Sequence, residues 1–226
     1  MRAHKCLKKP VLILTCGLTG TGKSTIASEI RKITGIPVIR SDVVRKQLAR
    51  IEEDDHRLEN FGEGIYSENF SNLTYDTMFN MASEILQKGE SVLIDASFKK
   101  KVFRDRAKKL AAGFGLPFLL IECKCSESTV KERLLKRSAE GDDPSDGRWE
   151  IYAMQKADFE NITEPDPADG QQEAELKTGG PSRPDISPTA EVLSDRNYLV
   201  LNTDMEISIN LDKALKAIEK IQGEKA

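Results

Sequence analysis

One short stretch of this sequence combines glycines, a lysine and hydroxyl side chains at a spacing suited to binding phosphate. Its sequence, GLTGTGKST over residues 17–25, fits the phosphate-binding pattern G-x-x-x-x-G-K-[ST]. The glycines permit a close backbone approach, so that the loop's N–H groups can face the phosphates. Lys23 is expected to reach the β- and γ-phosphates, and Ser24 to place its hydroxyl on Mg²⁺. The predicted nucleotide-binding residues are Gly17, Leu18, Thr19, Gly20, Thr21, Gly22, Lys23, Ser24 and Thr25.

The residues around this loop have the pattern that such a loop requires. An apolar run over 11–14 predicts a buried strand before it, and Ile26, Ile30 and Ile33 recur after it at helical spacing. Gly35 then predicts the end of that helix. The alternative is a glycine-rich turn with a chance lysine, but strand, loop and helix in this order favour a nucleoside triphosphate site.

A carboxylate and an arginine follow the second predicted strand, 37–40, within one helical turn of each other. Asp42 can accept the proton of an attacking hydroxyl group, and Arg45 can hold an anionic or hydroxyl-bearing phosphate acceptor. The alternative is that Ser41 or Asp42 only caps a helix and that Arg45 is a solvated charge. We predict that Asp42 and Arg45 belong to the catalytic residues.

A second acid ends the third predicted strand, 91–95. Asp95 has the position of a Walker B acid, which holds a water molecule on Mg²⁺, although an acid at a strand end is also a common turn former. We therefore expect Ser24 and Asp95 to form the metal site. Ser97 either contacts the acceptor or caps the next helix.

Two arginines lie four residues apart on a helix predicted after Ser126, so Arg133 and Arg137 share one helix face. Phosphoryl transfer needs cations near the moving charge, often from a lid. A glycine-containing stretch follows and suits a hinge, which predicts a lid over residues 126–160, with Arg148 a weaker candidate. The alternative is a solvated basic face. The predicted catalytic residues are Lys23, Asp42, Arg45, Arg133 and Arg137.

Five apolar strands alternate with amphipathic helices, which predicts an α/β fold with a five-stranded parallel sheet and helices on both faces. This is the three-layer arrangement of P-loop nucleoside triphosphatases. Ligands of such sheets bind at the carboxyl ends of the strands, where all of the candidate residues fall. Thr203 and Asp204 follow the fifth strand, close to where adenine packs in such folds. Trp149 is expected to pack within the lid rather than to stack on a base.

Composition limits the class of protein. The chain has 226 residues, which suits a single domain over 1–226, and its net charge of −3 gives no global basic field for nucleic acid. The cysteines have no zinc-site spacing and indicate a reduced, cytoplasmic protein. Neither histidine fits a metal or triad pattern, and no apolar run approaches the roughly 20 residues of a membrane span. No export signal is predicted.

Residues 164–195 differ in composition from the rest of the chain. They contain five of the nine prolines and few apolar side chains, which predicts a mobile, proline-rich insertion rather than packed structure. An acidic stretch over 52–63 similarly predicts a surface loop.

Three motifs together resemble the P-loop kinase-like ATP-binding domain called AAA family 33, which is often fused to an aminoglycoside-phosphotransferase-like domain. They are the loop over 17–25, RSDVVRK over 40–46 and LIDASF over 93–98. The resemblance extends from about Val11 to Glu164 and again covers the fifth strand. This family is similar to polynucleotide 5′-kinases, in which an Asp-x-x-Arg motif supplies the general base and an acceptor-binding arginine. Asp42 and Arg45 match that motif.

The resemblance has further implications for the fold and the site. It implies the strand order 2-3-1-4-5, ATP and Mg²⁺ as cofactors, and a lid helix whose two arginines match Arg133 and Arg137. Two features depart from the family pattern. The fused domain is absent, so the chain is a stand-alone version or a fragment of a longer protein. The 164–195 insertion is longer than expected, which leaves base binding unassigned.

The sequence thus predicts a kinase that transfers the γ-phosphate of ATP to a hydroxyl acceptor. A nucleic-acid 5′-end, a nucleoside, a sugar and an antibiotic all fit as acceptor, and no membrane partner is expected. The alternatives are an ATP-binding regulatory switch with incidental ATPase activity and a toxin-type kinase acting on a sugar nucleotide.

Overall fold

A computed structural model gives the fold and describes residues 7, 9–51, 64–140, 148–162 and 197–223. The predicted loop over 52–63, the predicted insertion over 164–195, most of the predicted lid hinge, both histidines and Cys6 lie outside these residues. The strands are β1 (Leu12–Cys16), β2 (Val38–Arg40), β3 (Val92–Asp95), β4 (Phe118–Lys124) and β5 (Tyr198–Asn202). The helices are α1 (Lys23–Thr34), α2 (Ser41–Ala49), α3 (Glu68–Gln87), α4 (Lys101–Gly113), α5 (Glu127–Glu140), α6 (Trp149–Ala157) and α7 (Ile207–Gly223), with a short 3-10 helix at Gly64–Tyr66.

The five strands form one parallel sheet in the order β2-β3-β1-β4-β5. This confirms the predicted fold class and strand order. The register places Thr15 of β1 and Arg40 of β2 opposite Asp95, the last residue of β3. Three polar side chains therefore end neighbouring strands at the same edge of the sheet.

The central strands are apolar on both sides because helices cover both faces of the sheet. Along β1, Leu12 and Leu14 pack into the core that α3 and α4 share with the sheet. Ile13 points the other way, into the core formed with α1 and α7. This two-residue alternation within a continuous apolar run gives the three layers: helices, sheet, helices.

The helix boundaries confirm most sequence expectations and correct two. Gly35 ends α1 in a left-handed conformation, and Ser126 caps α5 by accepting a hydrogen bond from the Thr129 N–H at 3.3 Å. The prediction that Ser41 or Asp42 caps α2 is wrong: β2 runs directly into α2, so Arg40 occupies the N-cap position. The interval after Gly147, in which the sequence also predicts a helix over 149–160, contains the shorter helix α6, which ends at Ala157. Within the described part of the chain, no helix combines the length and apolar character needed to span a bilayer.

Candidate active site

The loop between β1 and α1 has the geometry of a phosphate cradle. Gly17 and Gly22 adopt φ angles of 141° and 83°, which residues with a Cβ rarely adopt. Gly22 occupies the N-cap position of α1 without a side-chain cap, and the first turn of α1 contains no acidic residue. The positive end of α1 is therefore not neutralised by its own side chains, which suits an anion.

Contacts from distant parts of the chain fix this loop. The Gly17 N–H donates to the Ser97 carbonyl at 3.2 Å, and the Thr21 hydroxyl donates to the Leu18 carbonyl at 2.7 Å. The hydroxyl of Thr203, which follows β5, donates to the Thr21 carbonyl at 2.8 Å. The carbonyl groups of Leu18 and Thr21 thus have partners within the protein, and these hydrogen bonds stabilise the shape of the loop.

A pocket between the loop, α2, α3 and α6, here called the Asp42 pocket, collects three predicted catalytic residues. Lys23 enters it from α1, and Asp42 and Arg45 enter it from α2. The complete lining is Thr19, Lys23, Ser41, Asp42, Arg45, Tyr66, Ser71, Tyr75, Ser97, Lys99, Phe103, Ile151 and Gln155. The structure therefore brings a P-loop lysine, a carboxylate and an arginine together from two separate sequence motifs.

Arg45 is held firmly in this pocket. Its side chain is buried, and its guanidinium donates hydrogen bonds to the Ile65 carbonyl and, at 3.4 Å, to the Ser71 hydroxyl. It also lies 5.0 Å from the centre of the Tyr66 ring. The alternative of a solvated charge is wrong for Arg45. Its Nε has no hydrogen-bond partner among the described residues.

Asp95 is buried beside the phosphate loop. One of its carboxylate oxygens accepts a hydrogen bond from the Thr15 hydroxyl at 2.7 Å, and the other lies 3.7 Å from Nε of Arg40. Both neighbours come from the strands that flank β3. The carboxylate has the place expected of a Walker B acid, and its metal-binding role, together with that of Ser24 in the first turn of α1, stays a prediction.

Ser97 lines the pocket and does not cap the next helix, because α4 begins at Lys101 with Lys100 at the N-cap position. The capping alternative is therefore wrong. Beside it, the Tyr75 hydroxyl accepts a hydrogen bond from the Phe98 N–H at 3.1 Å. Burial raises the pKa of Tyr75 above its usual value, so the phenol is neutral at pH 7.

Lys99 adds a further cation to the Asp42 pocket. Its amino group lies 2.6 Å from the carboxylate of Asp158, which also forms an ion pair with Lys100 at 2.6 Å. Partial burial opposes ionisation of Asp158, but the hydrogen bonds from Lys100 and Lys99 outweigh it and lower the pKa of this carboxyl group. The end of α6 is thereby tied to the segment between β3 and α4.

Arg133 and Arg137 lie on the opposite side of the loop from Asp42, in a cavity of about 340 Å³ here called the Thr203 pocket. Its lining is Gly20, Gly22, Thr25, Ile26, Arg133, Arg137, Thr203, Met205, Ile207 and Asn210. The two arginines share a helix face, as their spacing predicts. Neither lines the Asp42 pocket, and their role in the transfer step stays a prediction.

Arg133 connects three parts of the chain. Its guanidinium donates to the Thr203 carbonyl at 2.6 Å, to the Thr203 hydroxyl at 3.1 Å and to the Gly20 carbonyl at 3.5 Å. The alternative of a solvated arginine is therefore wrong at this position. Arg133 holds α5, the phosphate loop and the end of β5 together.

The other residues expected near the base have different surroundings. Asp204 accepts hydrogen bonds from the N–H and hydroxyl of Ser126 at 2.9 and 3.1 Å, so it supports the capping residue of α5, and it does not line the Thr203 pocket. Hydrogen bonds from Thr129 and Ser126 lower the pKa of Asp204. Trp149 stacks on Tyr152, with ring centres 5.2 Å apart, in line with the predicted packing role.

Several pocket residues carry no recognisable sequence signal. Gln155 accepts a hydrogen bond from the Thr19 N–H at 2.9 Å across 136 positions of sequence. Tyr75 and Lys99 line the Asp42 pocket, and Asn210 lines the Thr203 pocket. Their sequence contexts resemble any amphipathic helix or polar loop, so only the folded chain identifies them.

Comparison with solved structures shows that the chain has the fold of P-loop kinases. A gluconokinase from Sinorhizobium meliloti 1021 is 17% identical with a TM-score of 0.57, and covers 94% of each chain. A sugar kinase from Janibacter sp. HTCC2649 is 16% identical with a TM-score of 0.59, covering 94% of this chain and 95% of that one. The APS kinase of Mycobacterium tuberculosis is 18% identical with a TM-score of 0.53, covering 93% of this chain and 98% of that one.

Among curated proteins, an uncharacterised protein of Mycobacterium tuberculosis H37Rv is 26% identical over 149 residues. These residues are 66% of this chain and 30% of that protein, so the chain spans under a third of its relative. A family model also matches the present chain. Because residues 12–162, more than half of the sequence, match the model AAA_33 (AAA domain), the chain belongs to that family.

Proposed function

We propose that the protein is an ATP- and Mg²⁺-dependent kinase that transfers the γ-phosphate of ATP to a hydroxyl group. The observation that carries this proposal is that Lys23, Asp42 and Arg45 line a single pocket. A P-loop lysine marks the position of the terminal phosphates. A carboxylate in the same pocket can then take the proton of an acceptor hydroxyl that lies next to these phosphates.

The proposed transfer divides the chemistry among these side chains. Asp42 takes the proton of the acceptor hydroxyl as its oxygen attacks the γ-phosphorus, and the bond to the β-phosphate oxygen breaks to release ADP. Lys23 stabilises negative charge on the transferring group. Arg45, braced by Ile65 and Ser71, offers the positive charge of its guanidinium to the acceptor. Arg137 and Arg133 are assigned to the nucleotide on the far side of the loop.

Ser24 and Asp95 are the residues that would hold Mg²⁺. The ion commonly binds through one or two carboxylates together with substrate phosphates and water. One buried carboxylate and one hydroxyl beside a phosphate loop fit that donor set. Within the described residues no cluster of three or more His, Cys, Asp or Glu side chains forms a separate metal site. When bound, the ion supplies positive charge to the β- and γ-phosphates.

The Thr203 pocket is the proposed site of the adenine base. Its volume of about 340 Å³ falls in the range of small-molecule sites. Arginine side chains stack favourably on aromatic rings, and Arg133 and Arg137 stand on one side with Met205 and Ile207 near them. The bound AMPPNP and APS of the APS kinase structure support ATP as the nucleotide.

For the phosphate acceptor we propose a chemical class and not a single compound. The gluconokinase, sugar kinase and APS kinase with this fold favour a small molecule, such as a sugar, a nucleoside or an antibiotic, over a nucleic-acid 5′-end.

The test is a screen of acceptors with γ-labelled ATP, run with wild type, Asp42→Asn and Asp105→Asn. Asp105 is a control because its ion pair with Lys101 lies on the outer surface of α4. We expect Asp42→Asn to slow transfer about 10²- to 10⁴-fold, since it removes the base, while its affinity for AMPPNP stays within about twofold. Unchanged turnover in Asp42→Asn would instead favour the regulatory switch with incidental ATPase activity.

A further inference from the structure

Helix α6 contacts the phosphate loop directly, through the hydrogen bond from the Thr19 N–H to Oε1 of Gln155. Thr19 is the third residue of the loop, and backbone N–H groups of such loops cradle the nucleotide phosphates. The side-chain carbonyl of Gln155 thus accepts a hydrogen bond from a loop N–H group that a nucleotide phosphate could otherwise bind.

The hydroxyl of the same residue is also set up for a ligand. The Thr19 side chain is 4% exposed and lines the Asp42 pocket, yet its Oγ1 has no hydrogen-bond partner among the described residues. Buried hydroxyl groups in native proteins normally have a partner. The polar groups of Thr19 therefore point to a ligand on the Lys23 side of the loop.

The Asp42 pocket is too narrow for its proposed contents. Its volume is about 100 Å³, whereas small-molecule sites usually measure about 300–1,000 Å³. Ile151 and Gln155 of α6 form one wall of this pocket. A terminal phosphate and an acceptor need more room, and the Gln155 side chain is the part of that wall that contacts the phosphate loop.

We propose that Gln155 is a positioning residue that competes with the terminal phosphate of ATP for the Thr19 N–H. This inference rests on the proposed kinase function. A phosphate oxygen is a stronger acceptor than a carboxamide oxygen because it carries charge. ATP therefore displaces the Gln155 side chain from the loop, and movement of this side chain enlarges the Asp42 pocket for the acceptor. ADP lacks the terminal phosphate and displaces Gln155 less.

The experiment measures the dissociation constants of AMPPNP and ADP by calorimetry in the presence of Mg²⁺. The proteins are wild type, Gln155→Ala, Gln155→Glu and, as control, Met154→Ala, the neighbouring residue on the exposed side of α6. Loss of a neutral hydrogen bond has a modest effect, so Gln155→Ala should bind AMPPNP about two- to tenfold more tightly, with a smaller change for ADP. Gln155→Glu should weaken AMPPNP binding more than ADP binding, because its carboxylate repels the terminal phosphate. Met154→Ala should leave both constants unchanged.

Competition predicts that Gln155→Ala strengthens AMPPNP binding and that Gln155→Glu weakens it, with smaller changes for ADP. A purely structural role of Gln155 does not predict opposite effects of the two variants on AMPPNP binding. Weaker AMPPNP binding by Gln155→Ala overturns the proposal, as do equal changes for AMPPNP and ADP or no change at all. If wild type binds neither nucleotide, the kinase function fails and this inference fails with it. If wild type binds both and only the expected selectivity is missing, the kinase function stands and the role of Gln155 alone is refuted. Circular dichroism melts check that all four proteins are folded.

Discussion

Replacing Gly17 with alanine tests the geometry of the phosphate loop most directly. Gly17 has a φ angle of 141° and donates its N–H to the Ser97 carbonyl. A Cβ at this position would lie 2.6 Å from the carbonyl oxygen of Cys123 and 2.7 Å from Oγ1 of Thr21. The Cys123 carbonyl belongs to the backbone of β4, next to β1 in the sheet, so it cannot turn away as a side chain could.

Two effects determine how much Gly17→Ala lowers the free energy of unfolding. An alanine in a sparsely populated backbone region costs about 1–3 kcal/mol, and forcing a methyl group into packed structure costs about 1–3 kcal/mol more. Gly17→Ala should therefore lower the free energy of unfolding by about 2–6 kcal/mol, which corresponds to about 4–24 °C in melting temperature for a chain of this size. Displacement of the Thr21 hydroxyl should also weaken AMPPNP binding.

Gly113→Ala is the matched control. Gly113 is the last residue of α4, and a Cβ there would have no neighbour within 4 Å. Because alanine has the higher helix propensity, this variant should be as stable as wild type or up to about 1 kcal/mol more stable. Urea unfolding of the three proteins, followed by circular dichroism, measures both effects. If Gly17→Ala unfolds at the same urea concentration as wild type, the close approach of the loop to β4 is refuted.

Two further predictions concern charged side chains. Arg133→Ala should lower the free energy of unfolding by about 1–3 kcal/mol, because it removes charge-assisted hydrogen bonds to Thr203, whereas Glu132→Ala, at an exposed position of the same helix, should change it by less than about 1 kcal/mol; equal losses in urea unfolding would contradict the connecting role of Arg133. Asp158→Asn should destabilise the protein by less than about 1 kcal/mol at pH 7, since the carboxylate is 36% exposed. The folded-state pKa of Asp158 is lowered, so its contribution exists above the unfolded-state pKa and disappears as the pH falls through the folded-state value. Urea unfolding should therefore show that the free energy of unfolding of wild type exceeds that of Asp158→Asn at pH 7 and that this difference shrinks in acid. A difference in the free energy of unfolding that does not depend on pH would refute this account.

The fold was predictable because its signals are local. Apolar runs of four to seven residues define the strands, and apolar residues at helical spacing between them define the helices. The glycine loop marks the sheet edge at which ligands bind. The motif containing Asp42 and Arg45 was predictable for the same reason, since both residues follow one strand within a single helical turn. Their meeting with Lys23 then follows from the topology of a parallel sheet.

The remaining features depend on contacts that local patterns do not encode. The four-residue spacing of Arg133 and Arg137 predicts a shared helix face but does not identify the partners of either side chain. The hydrogen bonds of Arg133 to Thr203 span 70 positions of sequence. Gln155 meets the loop across 136 positions. The N-cap of α2 was misassigned because Ser41 and Asp42 are typical capping residues, but the absence of any loop after β2 moves the helix start forward onto Ser41.

The hydrogen bond from Thr203 to the Thr21 carbonyl has a consequence for the order of folding. It joins residues 182 positions apart, and Thr203 follows directly after β5, an edge strand of the sheet. Contacts between such distant residues form late, because closing a long loop is slow compared with forming local helices and turns. Refolding chains should therefore recover helical circular dichroism before they recover nucleotide binding. The phosphate loop lies near the start of the chain, but it reaches its final shape only when the last strand has joined the sheet.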